Sequence, residues 1–274
     1  MPIESSAIFT RDGGAFVPSD LAQGPWDPDA QHGGPVAALL ARAVEQHEHE
    51  TGLMVVRMTV ELLRPVPLAP LTVTTETQRP GKRVQWIEAR LQIASTGVEV
   101  ARARALRGRL NPFELPSSAA DSDSRPAPPE TGDVMNDTLW PGFARAMERR
   151  PVAGRAFPEL GPATVWFRLR NPLVAGEEPS GLQRVMASAD FGNGISSVLP
   201  YQSYFFINPD LSVYLHRSPE GEWICLDSVT HPDASGIGIT ESVLFDRTGR
   251  IGRAMQSLLI GERSPGPAKS VAGG

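Results

Sequence analysis

The hydrophobic positions in the first half of the chain follow a helical period and then a strand period. Between Pro35 and His47 apolar residues recur every three or four positions, which places them on one stripe of a helix. The stripe consists of Val36, Leu39, Leu40, Ala43 and Val44. Beyond it apolar and polar residues alternate, as they do in strands with one buried face. The predicted strands cover 58–62, 71–77, 87–93 and 98–106.

The second half repeats this order. A helical stripe comes first, made of Leu182, Val185, Met186 and Ala189, and alternating runs follow at 211–215, 237–245 and 250–261. Short phrases also correspond, since Val60-Glu61-Leu62-Leu63-Arg64-Pro65 resembles Val213-Tyr214-Leu215-His216-Arg217 followed by Pro219. Two copies of one unit predict an α+β fold in which each helix lies across an antiparallel sheet. Two unrelated α+β halves are the alternative.

Composition sets the boundaries of the two units. Pro, Ser, Ala and Asp dominate from Pro112 to about Pro129, which is typical of a linker. The last residues, 264–274, have the same character and are predicted to be disordered. We therefore assign 10–110 to an N-terminal repeat, 111–154 to a Pro/Ser-rich linker and connecting segment, and 155–263 to a C-terminal repeat.

Charge and cysteine content narrow the classes of function. The formal net charge is −5 and the basic residues are scattered, which argues against a nucleic-acid partner. The arginines at positions 102, 104, 107 and 109 alternate with small or apolar residues, so we interpret them as the solvated face of a strand. The single cysteine, Cys225, excludes an internal disulfide and a cysteine-based zinc site, and its apolar surroundings predict a buried thiol.

Targeting signals are not found in the sequence. The N-terminus has no charged start followed by an apolar run, and no stretch reaches the roughly 18 apolar residues of a membrane span. We expect a cytoplasmic protein. The sequence also has no Gly-x-Ser-x-Gly turn, phosphate loop or dinucleotide fingerprint, and its five histidines do not form a metal motif.

A family resemblance follows from the order of these features. The duplicated helix-and-sheet unit, with His32-Gly33-Gly34 before the first helix and Pro209-Asp210-Leu211-Ser212-Val213 opening a strand, resembles the double-hotdog thioesterases of the acyl-CoA thioesterase II type. The resemblance covers the chain except for the linker and the tail. It implies two hotdog repeats that share one continuous sheet, an acyl-CoA substrate, hydrolysis of its thioester, and no cofactor.

The resemblance also implies which side chains carry the chemistry. The family holds a water molecule with a helix Asp, a Thr or Ser before the next strand, and a Gln on the last strand. These positions match Asp190, Asn208 and Gln256, and Asn208 departs from the family hydroxyl while still offering an acceptor and two donors. A shifted register would bring Ser203 or Ser212 to the hydroxyl position.

The residue pattern by itself agrees with an internal polar site. Asp190 follows Met186 at the edge of the helical stripe, where an unpaired carboxylate is costly. Gln256 is in phase with Ala254 and Leu258 and therefore faces the apolar side of its strand. The simpler alternative is that each side chain only caps a backbone group.

The implied mechanism uses Asp190 as general base, with Gln256 and Asn208 orienting the same water. We expect partial burial to raise the pKa of Asp190. His32, Gly33 and Gly34 are expected to bind the substrate, with backbone N–H groups of the helix N-terminus polarising the thioester carbonyl. The two glycines also fit a plain turn before Pro35 at the first helical position.

Two other functions remain open. Hotdog enoyl-CoA hydratases use an Asp and a His five residues later, and Asp27 and His32 have that spacing, although Asp27 also fits as the cap of a turn before Pro28. A protein that binds acyl-CoA without turning it over is the third possibility, favoured by the Asn208 departure. A double hotdog already contains its pseudo-dimer, so a monomer and a further homo-oligomer are both possible.

Overall fold

The structure is a computed structural model, and it describes residues 7–116, 126–131, 134–135, 142–154 and 159–263. The predicted disordered tail, 264–274, lies outside the described residues, as does 117–125 within the predicted linker.

Four α-helices lie in the described part of the chain. Two of them, α1 (Gly33–Gln46) and α3 (Gly181–Ala189), are the helices that the apolar stripes predicted. The other two are short, α2 (Phe143–Ala146) and α4 (Gly192–Ser196). None of the described helices is long and apolar enough to cross a membrane.

The strands of the described residues form one sheet. In the N-terminal half they are β1 (Phe9–Asp12), β2 (Ala15–Pro18), β3 (Leu53–Leu62), β4 (Leu71–Arg79), β5 (Val84–Ile93) and β6 (Glu99–Arg109). In the C-terminal half they are β7 (Met147–Gly154), β8 (Ala163–Leu169), β9 (Tyr204–Ile207), β10 (Asp210–Leu215), β11 (Ile224–Pro232), β12 (Ile237–Asp246) and β13 (Gly249–Glu262).

The two halves meet at the middle of this sheet. The strand order is β1-β2-β4-β5-β6-β3-β10-β13-β12-β11-β8-β7, and β9 pairs with the end of β13. Strands β3 and β10 are the antiparallel junction, with Thr59 opposite Ser212 and their hydroxyl oxygens 3.0 Å apart. Each half thus contributes a hairpin, a long helix and four long strands to one continuous antiparallel sheet, which confirms the predicted double hotdog.

Helices α1 and α3 pack against each other on one face of the sheet. The predicted stripe of α1 is buried at Val36, Leu39, Leu40 and Val44. The alanines at 37, 38 and 41 are buried as well, because α3 covers the side of α1 that the sheet leaves open. Small residues permit this close approach of two helix backbones over a sheet.

One arginine departs from the predicted solvated face. Arg107 is buried, and its guanidinium donates hydrogen bonds to the carbonyls of Val44 and His47 at the end of α1. Arg107 is in phase with the buried Ala103 and Ala105, so it lies on the face of β6 that the helix covers, opposite to Arg104. The interpretation as solvated was therefore wrong for Arg107, whereas Arg104 and Arg109 are exposed.

Two further predictions have a structural outcome. Cys225 is buried, as expected, among Trp166, Trp223 and Phe245 on the other face of the sheet. Strand β7 lies inside 111–154, the range assigned to linker and connecting segment, and pairs with β8 at the edge of the sheet. The hairpin β7–β8 is thus the counterpart of β1–β2.

Candidate active site

Asp190 lies where the end of α3 meets the start of α1. It is the residue after the last turn of α3, and its carboxylate is only 5% exposed. Its Oδ2 is 2.7 Å from Nδ1 of His32, the residue that caps the N-terminus of α1. An anion beside a helix N-terminus is favoured by the unpaired N–H groups and the positive end of the helix dipole.

Two amide side chains from other elements complete the surroundings of this carboxylate. Asn208, between β9 and β10, donates from Nδ2 to Asp190 Oδ1 at 2.7 Å. Gln256, on β13, donates from Nε2 to the same oxygen and to the Asp190 carbonyl, both at 3.3 Å. The structure therefore brings together Asp190, Asn208 and Gln256, the three residues chosen from the sequence.

The proton between His32 and Asp190 determines the role of the Gly34 N–H. That N–H is 3.1 Å from His32 Nδ1, and it also stabilises the Asp190 carboxylate. A single ring nitrogen cannot donate to Asp190 and accept from Gly34 at once. Because the carboxylate is ionised, we assign the proton to His32 Nδ1, which donates to Asp190, and we assign the Gly34 N–H as a second donor to the Asp190 carboxylate.

The two glycines of the His-Gly-Gly turn are explained by close packing. A Cβ at Gly33 would lie 2.7 Å from Asp190 Oδ2, and one at Gly34 would lie 2.6 Å from the Phe143 ring. No side chain fits at either position without displacing its neighbour. The glycines therefore allow the carboxylate and Phe143 to sit directly on the first turn of α1.

Aromatic rings fix the imidazole of His32. Phe191 lies 4.7 Å and Phe143 5.2 Å from it, measured between ring centroids. Phe191 is in turn stacked on Phe143 and Phe167. These contacts leave His32 one orientation, with Nδ1 directed at Asp190.

Helix α4 holds the amide of Gln256. The Asn193 N–H donates to Gln256 Oε1 at 3.2 Å, so the NH₂ group must point towards Asp190. Helix α4 packs against buried hydroxyl groups of the sheet, with Ser196 Oγ 2.8 Å from Thr230 Oγ1. Sequence reasoning missed this support, although a run of Ser and Thr on inward-facing strand positions could have indicated a buried polar network.

The pKa of Asp190 moves in the direction opposite to the one expected from the sequence. Burial alone would raise this pKa, but His32, Asn208 and the Gly34 N–H favour the charged form more strongly and hold the pKa below its usual value. The expectation was wrong because it considered burial without the donors. Asp190 is therefore a carboxylate at neutral pH.

A cavity of about 490 Å³ opens beside these groups. Asp190, Asn208, His32 and Gly33 line one part of it, together with Gly194 of α4. Much of its remaining wall is apolar, formed by Trp26, Val36, Leu62, Leu63, Val66, Met135, Phe191, Ile195, Tyr201, Phe206 and Ile207. Such a cavity suits a ligand that has an extended apolar group and one polar group, which would lie beside Asp190.

The alternative site residues lie elsewhere or have other partners. Asp27 Oδ1 accepts from the Asp29 N–H in an exposed turn, and nothing in the described residues pairs it with His32. Ser212 contacts Thr59 at the sheet junction, and Ser203 is exposed in a turn. Of the three candidates for the hydroxyl position, Asn208 is the one that contacts Asp190 in the described structure. Among the described residues no group of three His, Cys, Asp or Glu side chains could hold a metal ion.

Fold and site together define a class of protein, the double-hotdog thioester hydrolases. Two family models match the sequence, "Acyl-CoA thioesterase N-terminal domain" over residues 22–108 and "Acyl-CoA thioesterase C-terminal domain" over residues 118–260. The chain belongs to this acyl-CoA thioesterase family. The matched ranges include His32, Asp190, Asn208 and Gln256, and the expectation of a thioester hydrolase is confirmed.

Solved structures share the fold over nearly the whole chain. A putative thioesterase from Novosphingobium aromaticivorans superposes with a TM-score of 0.68 at 20% identity, covering 92% of this chain and 98% of its own. A putative thioesterase II from Thermobifida fusca gives 0.69 at 16% identity, with 92% and 95% covered. An acyl-CoA thioesterase II from Mycobacterium marinum gives 0.63 at 16%, with 90% and 97% covered. A search of the curated proteins found no match.

Proposed function

We propose that the chain hydrolyses acyl-CoA thioesters through a water molecule that Asp190 activates. The observation that carries this proposal is the meeting of Asp190, Asn208 and Gln256, with Asp190 and Asn208 at the wall of a mainly apolar cavity. A buried carboxylate with oriented donors can receive a proton from a water that attacks the thioester carbon.

Two further polar groups are suited to bind the attacking water and the oxyanion. Asn208 donates its NH₂ group to Asp190, which leaves its Oδ1 to accept a hydrogen bond from the water. The Gly33 N–H, the first of α1, has no partner among the described residues and belongs to the cavity wall. It is placed to stabilise the oxyanion as the carbonyl carbon becomes tetrahedral, while the Gly34 N–H is engaged by Asp190.

His32 has a supporting role in this scheme. Its Nδ1 proton holds Asp190 Oδ2, so the carboxylate presents a fixed edge to the water. The proton that Asp190 takes from the water then passes to the leaving thiolate, and the products are the free acid and coenzyme A. No redox group is required, since the reaction only exchanges a C–S bond for a C–O bond.

The decisive experiment compares Asp190→Asn with Asp227→Asn while free thiol is followed from a panel of acyl-CoAs. Asp227 is exposed on β11 and bonds Thr164, so its loss removes a charge without touching the cavity. We expect Asp190→Asn to lower kcat by about 10²- to 10⁴-fold, the usual contribution of a general base. Circular dichroism establishes that both variants are folded.

Three results would contradict the proposal. Wild-type protein that binds acyl-CoA without thiol release would be a binding module. Loss of conjugation from an enoyl-CoA that depends on Asp27 but not on Asp190 would make it a hydratase. Full thioesterase activity in Asp190→Asn would place the base elsewhere.

A further inference from the structure

Three side chains stack at one edge of the cavity, and none of them belongs to the polar centre. Trp26 comes from the loop before α1, Tyr201 from the loop before β9, and Arg263 follows β13. The two aromatic rings are 4.9 Å apart, and the Arg263 guanidinium lies 4.9 Å from the Trp26 ring and 4.6 Å from the Tyr201 ring. Tyr201 also donates its hydroxyl to the Pro25 carbonyl at 3.2 Å. The cluster thus ties the N-terminal half to the C-terminal half at the cavity wall.

The cluster is open towards a ligand. Trp26 is 46% exposed, and both Trp26 and Tyr201 line the cavity. Arg263 donates from Nε to the Tyr204 carbonyl, and no carboxylate pairs with its guanidinium among the described residues. A guanidinium that lies over two rings and is not paired with a carboxylate keeps N–H groups that can bind an anion.

The separation of the cluster from Asp190 matches one part of the substrate. The Arg263 guanidinium donates from Nε to the carbonyl of Tyr204, the first residue of β9, and Asn208 follows the end of that strand. Four residues of extended chain span about 13 Å. The pantetheine arm of coenzyme A, about four residue-lengths long, spans roughly 15 Å when extended.

Resting on the proposed function, we propose that Trp26, Tyr201 and Arg263 form the subsite for the nucleotide end of coenzyme A. With the thioester at Asp190, the arm reaches along β9, the adenine stacks on the exposed Trp26 ring, and a phosphate pairs with Arg263. The acyl chain takes the apolar remainder of the cavity. Arg64, an exposed cation that also lines the cavity, is too near the centre for this role, since Leu62 bonds Pro209 directly beside Asn208.

The test uses two substrates that share one acyl group, an acyl-CoA and the corresponding N-acetylcysteamine thioester, which lacks the phosphates and the adenine. For Arg263→Gln and for Trp26→Ala we expect KM for the acyl-CoA to rise about tenfold, the loss of one charge-assisted contact or one stacked base. For Arg263→Gln, whose side chain is not part of the cavity wall, we expect kcat, and both constants for the short thioester, to stay unchanged. Coenzyme A itself, added as an inhibitor, should bind about tenfold more weakly to both variants.

The control is Arg253→Gln, which removes an exposed arginine from β13, the strand that Arg263 follows; its weak partner is Glu241 at 3.8 Å. It should change neither substrate's KM. If Arg263→Gln raised KM equally for both thioesters, the subsite would be overturned. The same holds if Arg64→Gln, and not Arg263→Gln, raised KM for the acyl-CoA alone. If the wild-type protein hydrolyses neither thioester, the proposed function fails instead. Calorimetric titration with coenzyme A then tests the subsite by itself, and equal affinity of wild type and Arg263→Gln would overturn it.

Discussion

Gly33 offers a sharp test of how the carboxylate is held, because it allows a change of one methyl group. A Cβ built at this position lies 2.7 Å from Asp190 Oδ2, 2.9 Å from Oδ1 and 3.0 Å from Cγ. Ordinary van der Waals contact needs about 3.5 Å. Gly33→Ala therefore requires the carboxylate and the first turn of α1 to separate by about 0.8 Å.

That displacement is large compared with the tolerance of the hydrogen bonds. The contacts of Asp190 with Asn208 and His32 are each 2.7 Å long, and an added 0.8 Å takes them to the limit of a hydrogen bond. Misplacing a catalytic group by about 1 Å costs on the order of 10²-fold in rate. Each weakened charge-assisted bond costs about 1.5–3 kcal/mol, against a gain of at most about 1 kcal/mol from replacing a helical glycine by alanine. With both bonds weakened, we expect a net loss of about 2–5 kcal/mol in stability.

The measurements are kcat for thiol release and the midpoint of thermal unfolding. The control is Gly14→Ala, in the turn between β1 and β2, where a Cβ meets nothing within 4 Å and φ lies outside the left-handed region. It should leave both quantities unchanged. A Gly33→Ala protein with wild-type kcat and unaltered stability would refute the reasoning, since the carboxylate could then move without consequence.

Three other residues give predictions that urea unfolding or thiol labelling can check. Burial raises the pKa of Glu45 despite hydrogen bonds from Gln183 and Ser180. Glu45→Gln should therefore be more stable than wild type at pH 7 and equally stable below about pH 4. A variant that is less stable than wild type at pH 7 would show that the charge of Glu45 is favourable. Burial opposes ionisation of Asp246, but Arg217 and Thr248 hold its pKa at about 2. The protein should therefore lose stability as the pH falls from about 4 towards 2. Asp246→Asn should cost about 3 kcal/mol of stability at neutral pH and should make the stability less dependent on pH in that range. Burial raises the pKa of the Cys225 thiol well above its usual value, so a thiol reagent should label it only after unfolding, and rapid labelling of the native protein would contradict the packing.

The duplicated architecture could be predicted because it rests on local periodicity. The stripes of α1 and α3 and the alternation along β3, β5, β10 and β13 each follow from which residues must be buried. The hairpin β7–β8 was missed for a physical reason. Glu148 is buried there between Arg150 and Arg168, and Pro151 lies at a bulge, so the segment has the composition of a loop.

Part of the candidate site could also be predicted from the sequence, and part of it could not. Periodicity placed Gln256 on the inner face and Asp190 at the end of a helix, and the family resemblance put Asn208 beside them. The contact of His32 with Asp190 could not be read from the sequence, because it depends on the packing of α1 against α3 across the two halves. The same packing reversed the expected direction of the pKa shift, since it supplies donors that the local sequence around Asp190 does not contain.

Duplication also creates a second place where a helix N-terminus meets a helix end, and the residues at that crossing have different partners. Helices α1 and α3 run antiparallel, so the end of α1 lies against the start of α3. There Arg42 forms a two-pronged ion pair with Glu177 at 2.5 and 2.6 Å. Ser180 caps α3 and donates to Glu45.

The two crossings differ in what reaches the helix N-terminus. At the first, a carboxylate lies directly on Gly33 and faces a large, mainly apolar cavity. At the second, the corresponding glycine, Gly181, packs on the backbone of Pro219, and the nearby carboxylates are used to join the two halves. Neither Glu45 nor Glu177 lines the large cavity, whereas Asp190 does. Under the proposed function, the asymmetry of this pseudo-symmetric fold follows from the side chains at the two helix crossings, together with Gln256 on β13.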